Sequence, residues 1–254
     1  SAERGLCRGG GVANYIEITS GIPRERAELK VCDDGFIELV VGTMSSGQGH
    51  ETSFPQLLSD WLQIPFEKVR YIANDTDRVS VGGGSHSGRS MRLVSIALGE
   101  AVEELLANGK AIAAHILQAP LADIVFEDGA FAAPGGGSVD LWAVAKAAAT
   151  LDSLPDKLRG GLEGAGDITN RAGGYPYGSH VCEVEVDPDT GHVDIVAWTG
   201  VDDVGLAVNP AILHGQAHGA VMQGVGQALL EEIHYDPDSA QLLSGSFMDY
   251  AMPR

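Results

Sequence analysis

Thirty-four of the 254 residues are glycine, and they fall in short clusters between patterned segments. Glycine enters left-handed and crowded backbone conformations at little steric cost. Clusters inside a patterned chain therefore mark tight turns and places where backbone lies against a ligand or a neighbour. The glycines follow no G-X-Y period and form no linker tract, so collagen and spacer readings are excluded. What lies between them is globular in character: 44% of the residues are hydrophobic. A chain of this size buries roughly 70–75% of its extended surface, enough for a core without disulfide or metal staples. Cys7, Cys32 and Cys182 stand far apart with no C-x-x-C pair, which points to a reducing, cytoplasmic setting.

The first half reads strand, strand, helix, strand, helix. Segments 28–32 and 36–41 flank Asp33-Asp34-Gly35, a hairpin signal. Gly42-Thr43-Met44-Ser45-Ser46-Gly47-Gln48-Gly49-His50 then forms a small-residue loop. Behind it Phe54, Leu57, Leu58, Trp61 and Leu62 recur at the spacing of an amphipathic helix. After a short strand at 69–73, Gly82-Gly83-Gly84-Ser85-His86-Ser87-Gly88-Arg89-Ser90 opens a helix through about residue 106. The Asn108-Gly109 break predicts a separate helix at 111–117, Asp128-Gly129 a hairpin, and 141–149 a weaker helix. Residues 151–177 show glycines among polar residues without periodicity, and read as a long connection.

The opening pattern then returns. Segment 181–186 alternates, with Cys182 facing a core and Glu183 and Glu185 on a solvated face. Asp187-Pro188-Asp189-Thr190-Gly191 is a turn, 192–201 the returning strand, and Asn209-Pro210 starts a helix over 211–230. Interior glycines at 215, 219, 224 and 226 each lower helix propensity by about 1 kcal/mol, which suggests close packing against a neighbour or a ligand. Residues 233–250 have strand character. The expected class is α+β, in two lobes over 1–150 and 178–254, each a small mixed sheet with packed helices. A ligand would lie in the crease between them.

Charge narrows the partners. Lys and Arg number 16 against 35 Asp and Glu, a formal charge of −19. So acidic a chain is poorly suited to nucleic acid or to anionic membranes, and no apolar run approaches the ~20 residues of a membrane span. The chemistry concentrates in the loops at 47–50 and 82–90, each leading into a helix N-terminus. Unpaired N–H groups and the helix dipole make such places anion sites, and Gln48, Ser85, Ser87, Arg89 and Ser90 add side-chain donors. Neither loop is a Walker A or a G-x-G-x-x-G motif. His50 and His86 serve either as loop-structural hydrogen-bonding groups or as ligand contacts. His214 and His218 lie four apart on a helix but lack H-E-x-x-H, so a solvated pair is favoured over a metal site. Asp202-Asp203 reads as strand-end capping rather than a carboxylate pair, and no serine lies in a G-x-S-x-G elbow.

Together these residues resemble a known family, the large molybdopterin-binding subunits of the xanthine dehydrogenase, aldehyde oxidase and aerobic carbon monoxide dehydrogenase group. The resemblance is carried by Gly42 through Thr52, Gly88-Arg89-Ser90, Glu183 through Gly191, Asn209-Pro210 and Gly215-Gln216-Ala217-His218-Gly219. Gly224-Val225-Gly226-Gln227-Ala228-Leu229 and Asp249-Tyr250-Ala251-Met252-Pro253 complete it. The order is that of the family, and the style that of its carbon monoxide dehydrogenase branch.

The resemblance implies a molybdenum hydroxylase, an oxidoreductase that oxidises aldehyde, heterocycle or carbon monoxide substrates with oxygen from water. Its molybdenum sits on a pterin, often as the cytosine dinucleotide. Electrons leave through iron–sulfur and FAD partners in a paired heteromeric assembly. By the same resemblance Gln48 and Gly49 hold the pterin, with Ser87, Arg89, Ser90 and Gln216 as further cofactor contacts. No metal ligand is expected in this chain. Relatives of the carbon monoxide branch read Gly-Ser-Arg-Ser where this chain reads Ser87-Gly88-Arg89-Ser90. The family's general-base glutamate is expected downstream of Arg254, and the preceding half of the cofactor site upstream of Ser1. The chain is accordingly expected to be a domain of a larger enzyme, inactive alone. The alternative is a non-catalytic cofactor-binding or assembly module.

Overall fold

The computed structural model describes residues 2–19 and 21–253. It is α+β, with ten strands and four α-helices among the described residues. The strands and helices, in chain order, are β1 (Cys7–Ile16), β2 (Arg24–Val31), β3 (Ile37–Val41), α1 (His50–Leu62), β4 (Val69–Ile72) and α2 (Arg89–Leu117). There follow β5 (Val125–Glu127), β6 (Ala130–Ala132), β7 (Ser138–Asp140), α3 (Leu141–Thr150) and β8 (Leu162–Thr169). The chain closes with β9 (Tyr177–Val186), β10 (Val193–Asp203) and α4 (Pro210–Leu229). The residues pack as two units: one spans 18–174, and the other joins 1–17 to 175–254.

In the 18–174 unit a four-stranded sheet runs β4-β3-β2-β8. Its β2–β3 and β2–β8 pairs are antiparallel and its β3–β4 pair parallel. Strand β2 shows why one face is core. Ala27, Leu29 and Val31 are buried, while Arg24, Arg26, Glu28 and Lys30 alternate to the other side. That polar face is laced by ion pairs. Arg24 and Arg26 both reach Asp167 on β8, Lys30 reaches Glu163, and Arg70 and Arg78 reach Glu38.

The buried face carries α2, whose 29 residues span about 43 Å at 1.5 Å per residue. Leu93, Val94, Ala97, Leu98, Ala101, Val102 and Leu105 are its buried stripe. Gly164 and Gly166 on β8 let the helix backbone come close: a Cβ at either would strike the carbonyl of Ala101 or Ala97. The segment expected as a connection thus contains a core strand, because its glycines are there for contact and not for a turn. The expected break at Asn108-Gly109 is also absent. Helix α2 runs through it, and the space where a Gly109 Cβ would sit is filled by the Phe131 ring. A small β5-β6-β7 meander and α3 pack near this end of the helix.

The other unit is built on an antiparallel sheet, β1-β9-β10, with β9 in the centre. Strand β1 includes Gly9-Gly10-Gly11, opposite Val184, Glu183 and Cys182, and the sequence pattern gave no sign of it. Glu185, expected on a solvated face, is 6% exposed and ion-paired with Arg4, while Cys182 is only half-buried. Glu185 alone departs from the expected solvated face; Val181 on the same face is exposed and Glu183 is half-exposed. Helix α4 begins as expected, with the Asn209 side chain accepting from Ile212 N–H at 3.0 Å. Residues 233–250 form no strand, only a bridge between Tyr235 and Leu242.

Candidate functional site

Two loops of the 18–174 unit lie back to back. Loop 42–49 leaves β3 and enters α1; loop 82–88 enters α2. Their entry points touch through backbone: a Cβ on Gly42 would overlap Gly82 Cα and the Val81 carbonyl, and a Cβ on Gly82 would overlap Gly42. No other residue type fits at either position. The loops end alike, with Gly49 and Gly88 in the left-handed region (φ 72° and 65°) as the caps of α1 and α2. Neither cap supplies a side-chain acceptor. Among the described residues, the N–H groups of His50 and Glu51 and those of Ser90 and Met91 therefore have no acceptor.

Gln48 is half-buried, and its carboxamide oxygen accepts from Ser46 N–H. Gly49 N–H is held by Ser45 Oγ at 3.2 Å. In the second loop Ser85 Oγ lies 3.0 Å from Ser90 Oγ and 3.5 Å from His50 Nε2, so a line of polar groups crosses from one loop to the other. His50 is 5% exposed and stacks on Phe54 at 4.8 Å. Burial pushes its imidazole below the ordinary pKa, which favours the neutral ring. Ser87 sits at φ 52° with its hydroxyl 3.0 Å from His86 Nδ1, and His86 Nε2 meets the Gly83 carbonyl at 3.0 Å. His86 is thus engaged with its own loop, on an exposed rim.

Arg89 departs from the expected pattern. It is fully buried, and its guanidinium makes four hydrogen bonds to protein acceptors together with an ion pair. Nε donates to the Ile22 carbonyl at 2.9 Å, and Nη1 to Gly84 O at 2.6 Å and Thr43 Oγ1 at 3.1 Å. Nη2 donates to Arg24 O at 3.0 Å and meets Glu25 Oε2 at 2.9 Å. The Arg89 backbone N–H is taken by His86 O at 3.1 Å. The buried Arg89 side chain is thus engaged with the protein and joins the loops to β2. Helical spacing carried the signal: Arg89 lies four residues before Leu93, on the buried stripe of α2. Glu25, which completes the group, was absent from the sequence reading, and Thr43 appeared there only as a member of the first loop.

The remaining expected residue, Gln216, belongs to the other unit and is exposed on α4. Of the four α4 glycines expected to pack closely, Gly226 does so, against Glu231 and Pro253, whereas Gly215, Gly219 and Gly224 have open space at the Cβ position within the described residues. His214 and His218 lie side by side at 6.4 Å and are exposed. Among the described residues no group of three or more His, Cys, Asp or Glu could hold a metal ion. Asp202 ties strands together, accepting from Tyr15 OH at 2.7 Å and His180 Nε2 at 2.8 Å, and Asp203 accepts from Tyr177 OH at 2.9 Å. The His180 hydrogen bond, followed by that of Tyr15, holds the Asp202 carboxyl below its ordinary pKa. No helix of the described residues is long and apolar enough to cross a membrane.

The donor set of the loop pair suits an anionic heteroaromatic ligand. It offers unpaired N–H groups at two helix starts, a carboxamide NH2, serine hydroxyls, and open space at Gly47.

Comparison with known proteins shows the family of the chain. The sequence matches the family model described as a molybdopterin cofactor-binding domain over residues 1–254. It is 30% identical over 245 residues to the carbon monoxide dehydrogenase large chain of Afipia carboxidovorans, covering 96% of this chain and 30% of that protein. A second relative is the 6-hydroxypseudooxynicotine dehydrogenase complex subunit gamma of Paenarthrobacter nicotinovorans. It is 33% identical over 230 residues, which is 90% of this chain and 29% of the relative.

Among solved structures, a Cu,Mo-CO dehydrogenase superposes with a TM-score of 0.87 at 29% identity, over 100% of this chain and 34% of that one. Quinoline 2-oxidoreductase from Pseudomonas putida 86 gives 0.81 at 29%, again over 100% and 34%. The chain spans about 30% of the length of the curated relatives that it matches.

Proposed function

Because the chain belongs to the molybdopterin cofactor-binding domain family, we propose that the paired loops 42–49 and 82–88 grip a molybdopterin cofactor as part of a molybdenum hydroxylase. The observation that carries this reading is the convergence of two glycine-capped helix starts, whose N–H groups are unpaired among the described residues, beside the Gln48 carboxamide. When bound, the cofactor supplies two-electron redox chemistry at its molybdenum.

The chain's own part is recognition and placement. Gln48 and Gly49 hold the pterin edge, and the His50 and Glu51 N–H groups face its anionic portion. Ser90, with Ser85 behind it, donates from the second loop. Ser87 contributes at the rim; Gln216, in the other unit, keeps the cofactor role that the resemblance implies. Arg89 supports the loops from within. In its favoured neutral form the His50 ring adds no charge, so anion binding rests on oriented dipoles, which hold their direction without a mobile counter-charge.

In this reading the substrate pocket and the general base come from the rest of a longer subunit, and the described residues alone catalyse no oxidation. The coverage of about 30% of the relatives' length supports that division. Iron–sulfur and FAD partners would carry electrons away in a heteromeric cytoplasmic complex, with the cofactor as its cytosine dinucleotide.

Molybdenum analysis and oxidised-pterin fluorescence of the complete protein test the reading. About one molybdenum and one pterin per chain are expected. Their absence after expression in a host that makes the cofactor would reject it in favour of an assembly role.

A further inference from the structure

We propose that Arg89, with Glu25 and Thr43, is a positioning group that sets the separation of the two loops, and so acts on the bound cofactor without touching it. The proposal rests on the cofactor reading above for its ligand, but its geometry stands within the chain. The guanidinium reaches three segments at once: the carbonyls of Ile22 and Arg24 before and within β2, Thr43 at the root of the first loop, and Gly84 in the second. Thr43 relays the connection, since its hydroxyl donates to Glu25 Oε2 at 2.5 Å while accepting from Arg89. Its carbonyl is fixed in turn by Tyr71 OH at 2.8 Å.

Two glycines make the clamp possible. A Cβ on Gly83 would lie 2.5 Å from Arg89 Cζ, so the second loop passes directly across the guanidinium. The Gly42–Gly82 contact prevents the loops from closing further, while Arg89 prevents them from opening. Because a planar five-donor fork meets acceptors at fixed angles, lysine at this position keeps the charge and loses the geometry.

Charge gives the proposal a sign. Glu25 neutralises Arg89, both at 0% exposure, so the pair presents no net charge to an anion. Were Arg89 to act as an electrostatic attractor, removing the Glu25 charge would strengthen anion binding. If it acts by placement, the same change loosens the loops and weakens binding.

The test uses Arg89→Lys, Glu25→Gln and the double variant Arg89→Met/Glu25→Met in the complete protein. Amide hydrogen exchange is first followed without cofactor. Exchange in 42–49 and 82–88 should rise together by at least tenfold in both single variants, with residues 97–112 of α2 unchanged. Unchanged loops, or a uniform rise through the whole unit, would overturn the proposal.

The double variant recovers apolar packing in place of a buried pair. Its melting temperature should return toward that of the parent while its loops stay fast; restored loop protection would count against a positioning role. On the loaded protein, cofactor loss should be at least fivefold faster in Arg89→Lys and in Glu25→Gln. Slower loss in Glu25→Gln would replace placement by electrostatic attraction. A parent without molybdenum or pterin whose variants still loosen both loops would reject the cofactor reading alone.

Discussion

Arg89 Nη2 and Glu25 Oε2 meet at 2.9 Å with neither side chain exposed to solvent, and the pair joins the first residue of α2 to β2. A buried pair of this kind is held by its hydrogen bonds as much as by Coulomb attraction, and removing one partner strands a charge in the core. Glu25→Ala is expected to destabilise the protein by about 3–5 kcal/mol, the range for a broken buried pair. Urea unfolding of the two proteins measures it, and a loss under about 1 kcal/mol would mean that water replaces the carboxylate.

Gly42→Ala and Gly82→Ala should each reduce cofactor content. At either position the new methyl meets backbone of the opposite loop, which cannot rotate aside as a side chain can. Overpacking of this sort costs typically about 1–3 kcal/mol. Gly47→Ala is the control, because nothing lies near its Cβ, although its φ of 103° carries some strain. Full occupancy in Gly42→Ala would show that the contact is dispensable.

Gln48→Ala should lower molybdenum and pterin content more than it lowers thermal stability. The residue is half-buried, and its carboxamide oxygen serves one hydrogen bond within the loop. One such bond contributes roughly 0.5–1.5 kcal/mol. Equal cofactor content in variant and parent would refute the role given to the amide.

Two glycines of α2 should respond in opposite directions to alanine. Gly99 has open space at its Cβ position, so Gly99→Ala should stabilise by up to about 1 kcal/mol through helix propensity. At Gly109 the same gain is opposed by the Phe131 ring, fully buried and unable to retreat. Overpacking at about 1–3 kcal/mol exceeds the propensity gain over most of its range. The paired melts should therefore split, with Gly109→Ala below Gly99→Ala, and equal shifts would contradict the packing.

Stability should fall with acid through Asp167. Hydrogen bonding to Arg24 holds its carboxyl down at about 2, with Arg26 adding to the effect. A depressed folded-state pKa gives stability that is complete above the unfolded value of about 3.9 and is lost as pH falls through about 2. The difference in urea midpoint between parent and Asp167→Asn should shrink between pH 5 and pH 2, and shrink further in high salt. A constant difference would remove Asp167 from the acid response.

Much of the 18–174 unit was legible because its periodicities are local. The β2–β3 hairpin announced itself through Asp33-Asp34-Gly35, and α1 through the spacing of Phe54, Leu57, Leu58 and Leu62. The missed strand β8 and the expected break in α2 share one cause: glycine was read as a mark of loop or break. In β1 and β8, and at Gly109 in α2, it instead lies within a regular element. In the last two it makes room for a helix backbone or an aromatic ring, a demand set by residues far along the chain.

Arg89 failed for a related reason. A cation beside a glycine loop suggests a ligand, and only its partners Glu25, Thr43 and the Ile22 and Arg24 carbonyls reveal a core residue. The donors of Gln48 and Ser90 stand where local sequence alone could place them, at helix starts.

The backbone contact between Gly42 and Gly82 has one more consequence. Spacing fixed by main chain against main chain does not depend on which side chains the loops carry further along. Residues 44–48 and 85–87 can therefore be exchanged as a vocabulary of donors while the gauge between the two tracks stays the same. A redesign toward a different flat anionic ligand would rewrite those positions and leave the two glycines alone.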